Sequence, residues 1–123
     1  MNNIQFTKRE NQIMEILWTE DKHMSASDIQ MHSEDMSIYT IQQSLQKLLD
    51  KGYVEVAEIV KNKKANTRMY CPTFSRAEYI ETFIEEKTGF QLTTNFIQKN
   101  EDIDTIRELE NLIQNKLKEL EKK

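Results

Sequence analysis

Gly52 separates two incompatible apolar periods, and that change restricts the fold more than any other feature of the chain. On its N-terminal side, SIYTIQQSLQKLLDK repeats apolar residues with helical spacing. Ile41, Leu45, Leu48 and Leu49 follow an i, i+4, i+7, i+8 pattern. Ser37 stands at the cap position and Gly52 at the exit. On its C-terminal side, YVEVAEIV alternates in part and is rich in β-branched residues, the pattern of a strand. KNKKAN reads as a polar turn, and TRMYCPTF as a returning strand whose extent Pro72 limits.

Two further helices are expected before Ser37. Thr7–Glu10, TKRE, matches a capping box and opens a helix to about Glu20, with Ile13, Met14, Ile16 and Leu17 as its apolar stripe. Trp18 is expected at a packing edge or a dimer contact. A loop, Asp21–Met24, leads to a second helix in SASDIQMH, capped by Ser25 or Ser27, with Ala26 and Ile29 facing inward. The order helix, helix, helix, strand, basic turn, strand predicts a mainly α chain with a small β wing, the winged variant of a helix-turn-helix unit.

A helical tail follows. Ser75–Glu78, SRAE, is a second capping box, and its helix is expected to end near Thr88–Gly89 with Tyr79, Ile80, Phe83 and Ile84 on one side. An amphipathic segment carries Leu92, Phe96 and Ile97. A last helix from Asp102 or Asp104 carries Ile106, Leu109, Leu112, Ile113, Leu117 and Leu120. These helices hold more apolar surface than they can bury alone, and a second copy of the chain is the simplest cover. The expected division is a winged-helix domain over 1–74 and a helical dimerisation domain over 75–123. Phe83, Phe96, Ile106, Leu109, Leu112, Ile113, Leu117 and Leu120 are the expected dimer contacts.

Charge is unevenly spread. Residues 1–76 hold ten Lys/Arg and ten Asp/Glu, so the net −4 of the chain comes from the tail. Residues 37–76 hold seven basic and three acidic side chains. This local excess outweighs the acidic total as a guide to partners. The outer side of the third helix offers Tyr39, Thr40, Gln42, Gln43 and Gln46, whose amides and hydroxyls suit base edges in a major groove. Ser37 and Lys47 on that helix, Lys61, Lys63 and Lys64 at the turn, and Arg68 on the returning strand suit the phosphate backbone. A polar helix face or a cationic hairpin alone is ordinary solvated surface. Their combination, on a three-helix scaffold, points to double-stranded DNA.

Other chemistries lack a constellation. Cys71 is the single cysteine, so no internal disulfide or cysteine-based zinc site is expected. His23 and His32 lack companion ligands for a metal. No nucleophile–base set or Gly-rich phosphate loop appears, so neither an enzyme nor a cofactor is expected. No apolar run approaches membrane-spanning length and the N-terminus lacks a signal-peptide pattern, which predicts a cytoplasmic protein without membrane insertion.

The segments FTKRENQIMEILW, MSASDI, TIQQSLQKLLDKGYVE and RMYCPTFSRAEY together resemble the penicillinase-repressor (BlaI/MecI) family of bacterial transcription factors. The resemblance covers essentially the whole chain. It implies a winged-helix domain, a helical dimerisation domain, and repression by a homodimer on dyad-symmetric operator DNA, as in antibiotic-resistance circuits. It also implies release through a membrane-linked sensor protease pathway that cuts an Asn-Phe bond, which Asn95-Phe96 resembles in TTNFIQKNEDI. Gln42, Gln43 and Lys47 depart from several relatives, so a relative's operator does not transfer. Two alternatives stay open: a regulator of the same fold released by a small ligand, and a winged-helix protein-interaction module that does not bind DNA.

Overall fold

The computed structural model describes residues 4–61 and 65–123. Its chain forms two compact units, Met1–Phe83 and Ile84–Lys123.

In the first unit, local caps set where the helices begin. Helix α1, Lys8–Glu20, opens on Thr7: the hydroxyl accepts the Glu10 N–H, and the Glu10 carboxylate accepts the Thr7 N–H. The same reciprocal box at Ser25 and Asp28 starts α2, Ala26–Met31, so the second helix takes the earlier of its two serines. Helix α3, Ile38–Asp50, starts on Ser37, whose hydroxyl accepts the Thr40 N–H. Such caps satisfy N–H groups that the helix itself leaves orphaned.

Gly52 ends α3 in a left-handed conformation, φ +79°. The Tyr53 N–H reaches back to the Leu48 carbonyl at 2.9 Å, and the Gly52 N–H to Leu49 at 3.0 Å. This is a complete Schellman closure, which glycine adopts without the Cβ penalty of other residues. The chain leaves it as β1, Val54–Lys61, paired antiparallel with β2, Asn66–Pro72. Val54 lies opposite Pro72 and Lys61 opposite Asn66, with a bulge between Val56 and Glu58. Met24 adds a bridge on the other edge of β2, exchanging both backbone hydrogen bonds with Tyr70.

The core sits where the three helices meet the base of this hairpin. Ile13, Met14 and Leu17 of α1 meet Met24, Ile29 and Met36, then Ile41, Leu45 and Leu48 of α3 and Val54 of β1. One charge is buried with them. The Glu10 carboxylate also takes both contacts of the Lys51 ammonium, at 3.0 and 3.1 Å, tying the start of α1 to the end of α3. Burial alone would raise the pKa of Glu10, but the Thr7 N–H and the Lys51 ammonium outweigh it and leave it lowered.

A layer of aromatic rings closes one side of this core. Phe6, Trp18, Tyr53, Phe74 and Tyr79 pack in stacked, tilted and edge-on pairs, and the Trp18 indole N–H donates to the Phe74 carbonyl at 2.9 Å. Trp18 is thus a packing-edge residue here. Helix α4, Arg76–Glu81, joins this layer through Tyr79, 5.0 Å from the Phe6 ring centroid. It is shorter than expected. The Thr82 hydroxyl donates to the Tyr79 carbonyl at 2.7 Å, and tight bonds from the Thr82 and Phe83 N–H groups close it well before Thr88–Gly89.

The second unit holds α5, Glu86–Lys99, and α6, Ile103–Glu121. Gly89, expected as a stop, lies inside α5. No residue from Ile84 to Lys123 is buried. Phe90 is 71% exposed, and Leu92, Phe96, Ile103, Leu112, Ile113, Leu117 and Leu120 are also open to solvent. No helix among the described residues is long and apolar enough to cross a membrane.

Candidate nucleic-acid interface

Helix α3 has one face spent on the core and one face open. Ile41, Ser44, Leu45 and Leu48 are buried, which fixes the rotation of the helix about its axis. Tyr39, Gln43, Gln46 and Asp50 then fall in one outward row, at i, i+4, i+7 and i+11, and all four are exposed. Gln42 flanks the row on one side, and Thr40 and Lys47 flank it on the other. The structure therefore brings the five expected base-contact residues onto one side of one rigid helix, with Thr40 half-buried and the other four exposed.

Hydrogen bonds order this face before any ligand arrives. The Gln43 amide nitrogen donates to the Tyr39 hydroxyl at 2.6 Å. The Gln46 amide nitrogen donates to the Asp50 carboxylate at 2.9 Å. Ser37 accepts the Thr40 N–H as the helix cap and donates its own proton to the Thr40 hydroxyl at 3.0 Å. Ser37 thus serves the helix end directly, and Thr40 keeps its hydroxyl proton for another acceptor. Residue type alone does not mark Asp50. Its i+4 spacing from Gln46 was the signal that identifies it.

The hairpin supplies the cations. Lys61 is exposed at the end of β1, and Arg68 is exposed on β2 opposite Ile59. Lys63 and Lys64 lie outside the described residues. Lys51, by contrast, is committed to Glu10. The remaining side chains named from the sequence fall elsewhere. Cys71 is half-buried, with its thiol 3.5 Å from the Glu55 carboxylate; burial and then that carboxylate push its pKa up, away from reactive thiolate. His23 meets Glu58 and His32 meets Glu20 as surface pairs. Among the described residues no cluster of His, Cys, Asp and Glu has the makings of a metal site.

The family profile described as Penicillinase repressor matches residues 6–122. The chain belongs to that family. No curated protein matches the sequence. Among solved structures, the chain is similar to the Bacillus subtilis PadR in complex with operator DNA, at 22% identity and a TM-score of 0.48, over 74% of this chain and 59% of that one. It is also similar to a ferric uptake regulator from Francisella tularensis with iron, at 19% identity and a TM-score of 0.42, over 56% of this chain and 53% of that one. The chain thus spans less than two thirds of the length of either solved relative.

In the second unit, Asn95 and Phe96 are exposed in the C-terminal half of α5. Ile97, Ile106, Leu109 and Ile113 line a cleft of about 170 Å³ between α5 and α6. Ile106 and Leu109 are half-buried, while Phe96, Leu112, Ile113, Leu117 and Leu120 are exposed. Phe83 belongs to the first unit, where its ring meets Tyr79 edge-on at 5.0 Å.

Proposed function

We propose that the protein is a cytoplasmic transcriptional repressor that binds dyad-symmetric operator DNA as a homodimer. The observation that carries this reading is the open face of α3: a row of amides and a phenol, held rigid by the buried opposite face, beside a cationic hairpin. Residues 1–74 bind DNA, with α3 in the major groove and Lys47, Lys61, Lys63, Lys64 and Arg68 on phosphates. Residues 75–123 supply the dimer contacts. Two half-sites then lie about 34–36 Å apart, or a multiple of that.

Dimerisation follows from energetics. Two helices without one buried residue cannot offset the conformational entropy of ordering them, about 1–2 kcal/mol per residue for the backbone alone. The apolar stripe of α6 therefore needs a partner surface, and an isologous pairing with a second α6 provides one. The cleft between α5 and α6, about 170 Å³, falls below the roughly 300–1,000 Å³ of small-molecule pockets.

Cleavage between Asn95 and Phe96, under a membrane-linked sensor protease pathway, would separate α6 from the DNA-binding unit. The helix around that bond is weak. Gly89 lowers its propensity, and the Thr93 and Thr94 hydroxyls donate back to the Gly89 and Gln91 carbonyls. Local opening can then present an extended backbone to a protease. A gel shift with the DNA upstream of the protein's own gene, against a scrambled duplex, tests the binding. Preference for the upstream duplex is expected, and equal or no binding to both would contradict it. Mass spectrometry after induction tests the cut, with an intact chain as the contrary result.

A further inference from the structure

The most specific information on the open face lies in the Gln46–Asp50 pair. The Gln46 Nε2 donates to Asp50 Oδ1 at 2.9 Å, and both residues are exposed. A carboxylate has acceptors and no donor, so it holds the amide nitrogen, never the amide oxygen. This fixes the orientation of the Gln46 amide on chemical grounds. Tyr39 cannot do the same for Gln43, because a phenol both donates and accepts.

An amide carries one acceptor and two N–H donors. With one N–H given to Asp50, Gln46 presents its Oε1 and a single N–H outward. That pattern is complementary to adenine, which shows an N6–H donor beside the N7 acceptor in the major groove. It is mismatched to guanine, where O6 and N7 are both acceptors. Against guanine, Oε1 would face O6 with no proton between them, and an unpaired acceptor on each side would be desolvated. A freely turning glutamine escapes this by rotating its amide.

We propose that Asp50 is a positioning residue that makes Gln46 a reader of adenine and an excluder of guanine in each half-site. The proposal rests on α3 being the DNA-reading helix. Asp50 need not touch a base: it lies one turn beyond Gln46 and acts through the amide it holds. Its single negative charge lowers affinity for every sequence alike, so charge cannot mimic a change of base preference.

The test is selection of bound duplexes from a randomised pool by the full-length protein, followed by competition binding with single-base variants of the selected site. Gln46→Ala locates the base pair read by Gln46, as the position whose preference collapses. In the parent protein that position should be adenine, favoured over guanine by about tenfold or more. Asp50→Ala should bring the two bases within about threefold of each other, with affinity for a random duplex equal or higher. Asp50→Asn keeps an acceptor without the charge and should restore part of the adenine preference. Thermal melting of each variant checks that α3 remains folded.

Guanine at the position that Gln46→Ala identifies, or an undiminished adenine preference in Asp50→Ala, would overturn the proposal. No position responding to Gln46→Ala would also overturn it, while leaving DNA binding by α3 intact. Failure of the parent protein to bind the random duplex at low salt would instead remove the DNA-binding reading on which the proposal rests, and the proposal with it.

Discussion

Replacing Lys51 with alanine should destabilise the first unit more than an exposed lysine ordinarily would. The Glu10 side chain is 1% exposed, and Lys51 supplies two of the contacts to its carboxylate. Without the ammonium, Thr7 remains beside that carboxylate, through its N–H at 2.8 Å and its hydroxyl. Breaking a fully buried pair costs about 3–5 kcal/mol. Lys51 is itself 43% exposed, so water reaches the vacated position, and about 2 kcal/mol is the better expectation. For a unit of this size, that lowers Tm by roughly 8–16 °C.

Lys51 also sits at the C-cap of α3, where a cation favours the helix dipole. A double-mutant cycle with Glu10→Gln separates the two effects, because the glutamine keeps an acceptor for Thr7 and removes the charge. The cycle should show a coupling of at least about 1 kcal/mol by thermal melting at fixed protein concentration. The sign with pH is also set. The pKa of Glu10 is lowered by folding, so its contribution is present above its unfolded value of 4.5 and is lost as pH falls through the folded value. The parent protein should therefore lose more Tm than Lys51→Ala as pH falls below about 5. A fall in Tm under about 2 °C for Lys51→Ala, or strict additivity in the cycle, would refute this reasoning.

Three further outcomes follow from the same structure. Gly52→Ala meets no steric obstacle but places a Cβ in a left-handed conformation, so it should cost about 1–2 kcal/mol, read as a fall in denaturation midpoint with unchanged slope. Trp18→Phe keeps the ring contacts but leaves the Phe74 carbonyl without its indole donor, and should cost about 1 kcal/mol in the same assay. Leu112→Asp and Leu117→Asp, on the exposed stripe of α6, should give a monomer by analytical ultracentrifugation and weaken operator binding at least tenfold; an unchanged dimer would move the interface off α6.

The parts of the fold legible in the sequence were those written locally. Capping boxes at Thr7 and Ser75, and the cap at Ser37, depend on residues three apart, and all three are present. Ile41, Leu45 and Leu48 of the α3 stripe are buried and Leu49 is partly buried, because the period leaves few other choices, and Gly52 stops that helix as its position implied. The misplaced end of α4 has a local cause with no compositional signature. A threonine hydroxyl and two tight backbone bonds ended the helix, while Gly89, without a left-handed conformation, was carried into the next one. Contacts between distant residues were not legible. Trp18 reaches Phe74 across 56 positions, and Lys51 reaches Glu10 across 41. At the candidate interface, the residue types were visible but their coupling was not. Gln46 is marked by its amide, whereas Asp50 reads in the sequence as an ordinary solvated acid; only the fold shows its carboxylate holding that amide.

The central claim, that α3 and the hairpin form a DNA-binding surface, is tested most directly by fluorescence anisotropy of an operator-length duplex across a series of salt concentrations. In the proposed dimer, Lys47, Lys61, Lys63, Lys64 and Arg68 of two subunits would place up to about ten cations on phosphates, which sets a limiting slope of log K against log salt near −9. A slope between about −5 and −9, reduced by about 2 for each of Lys61→Ala and Arg68→Ala in the dimer, is the predicted result. Affinity independent of salt, or identical slopes for the parent and both variants, would contradict it.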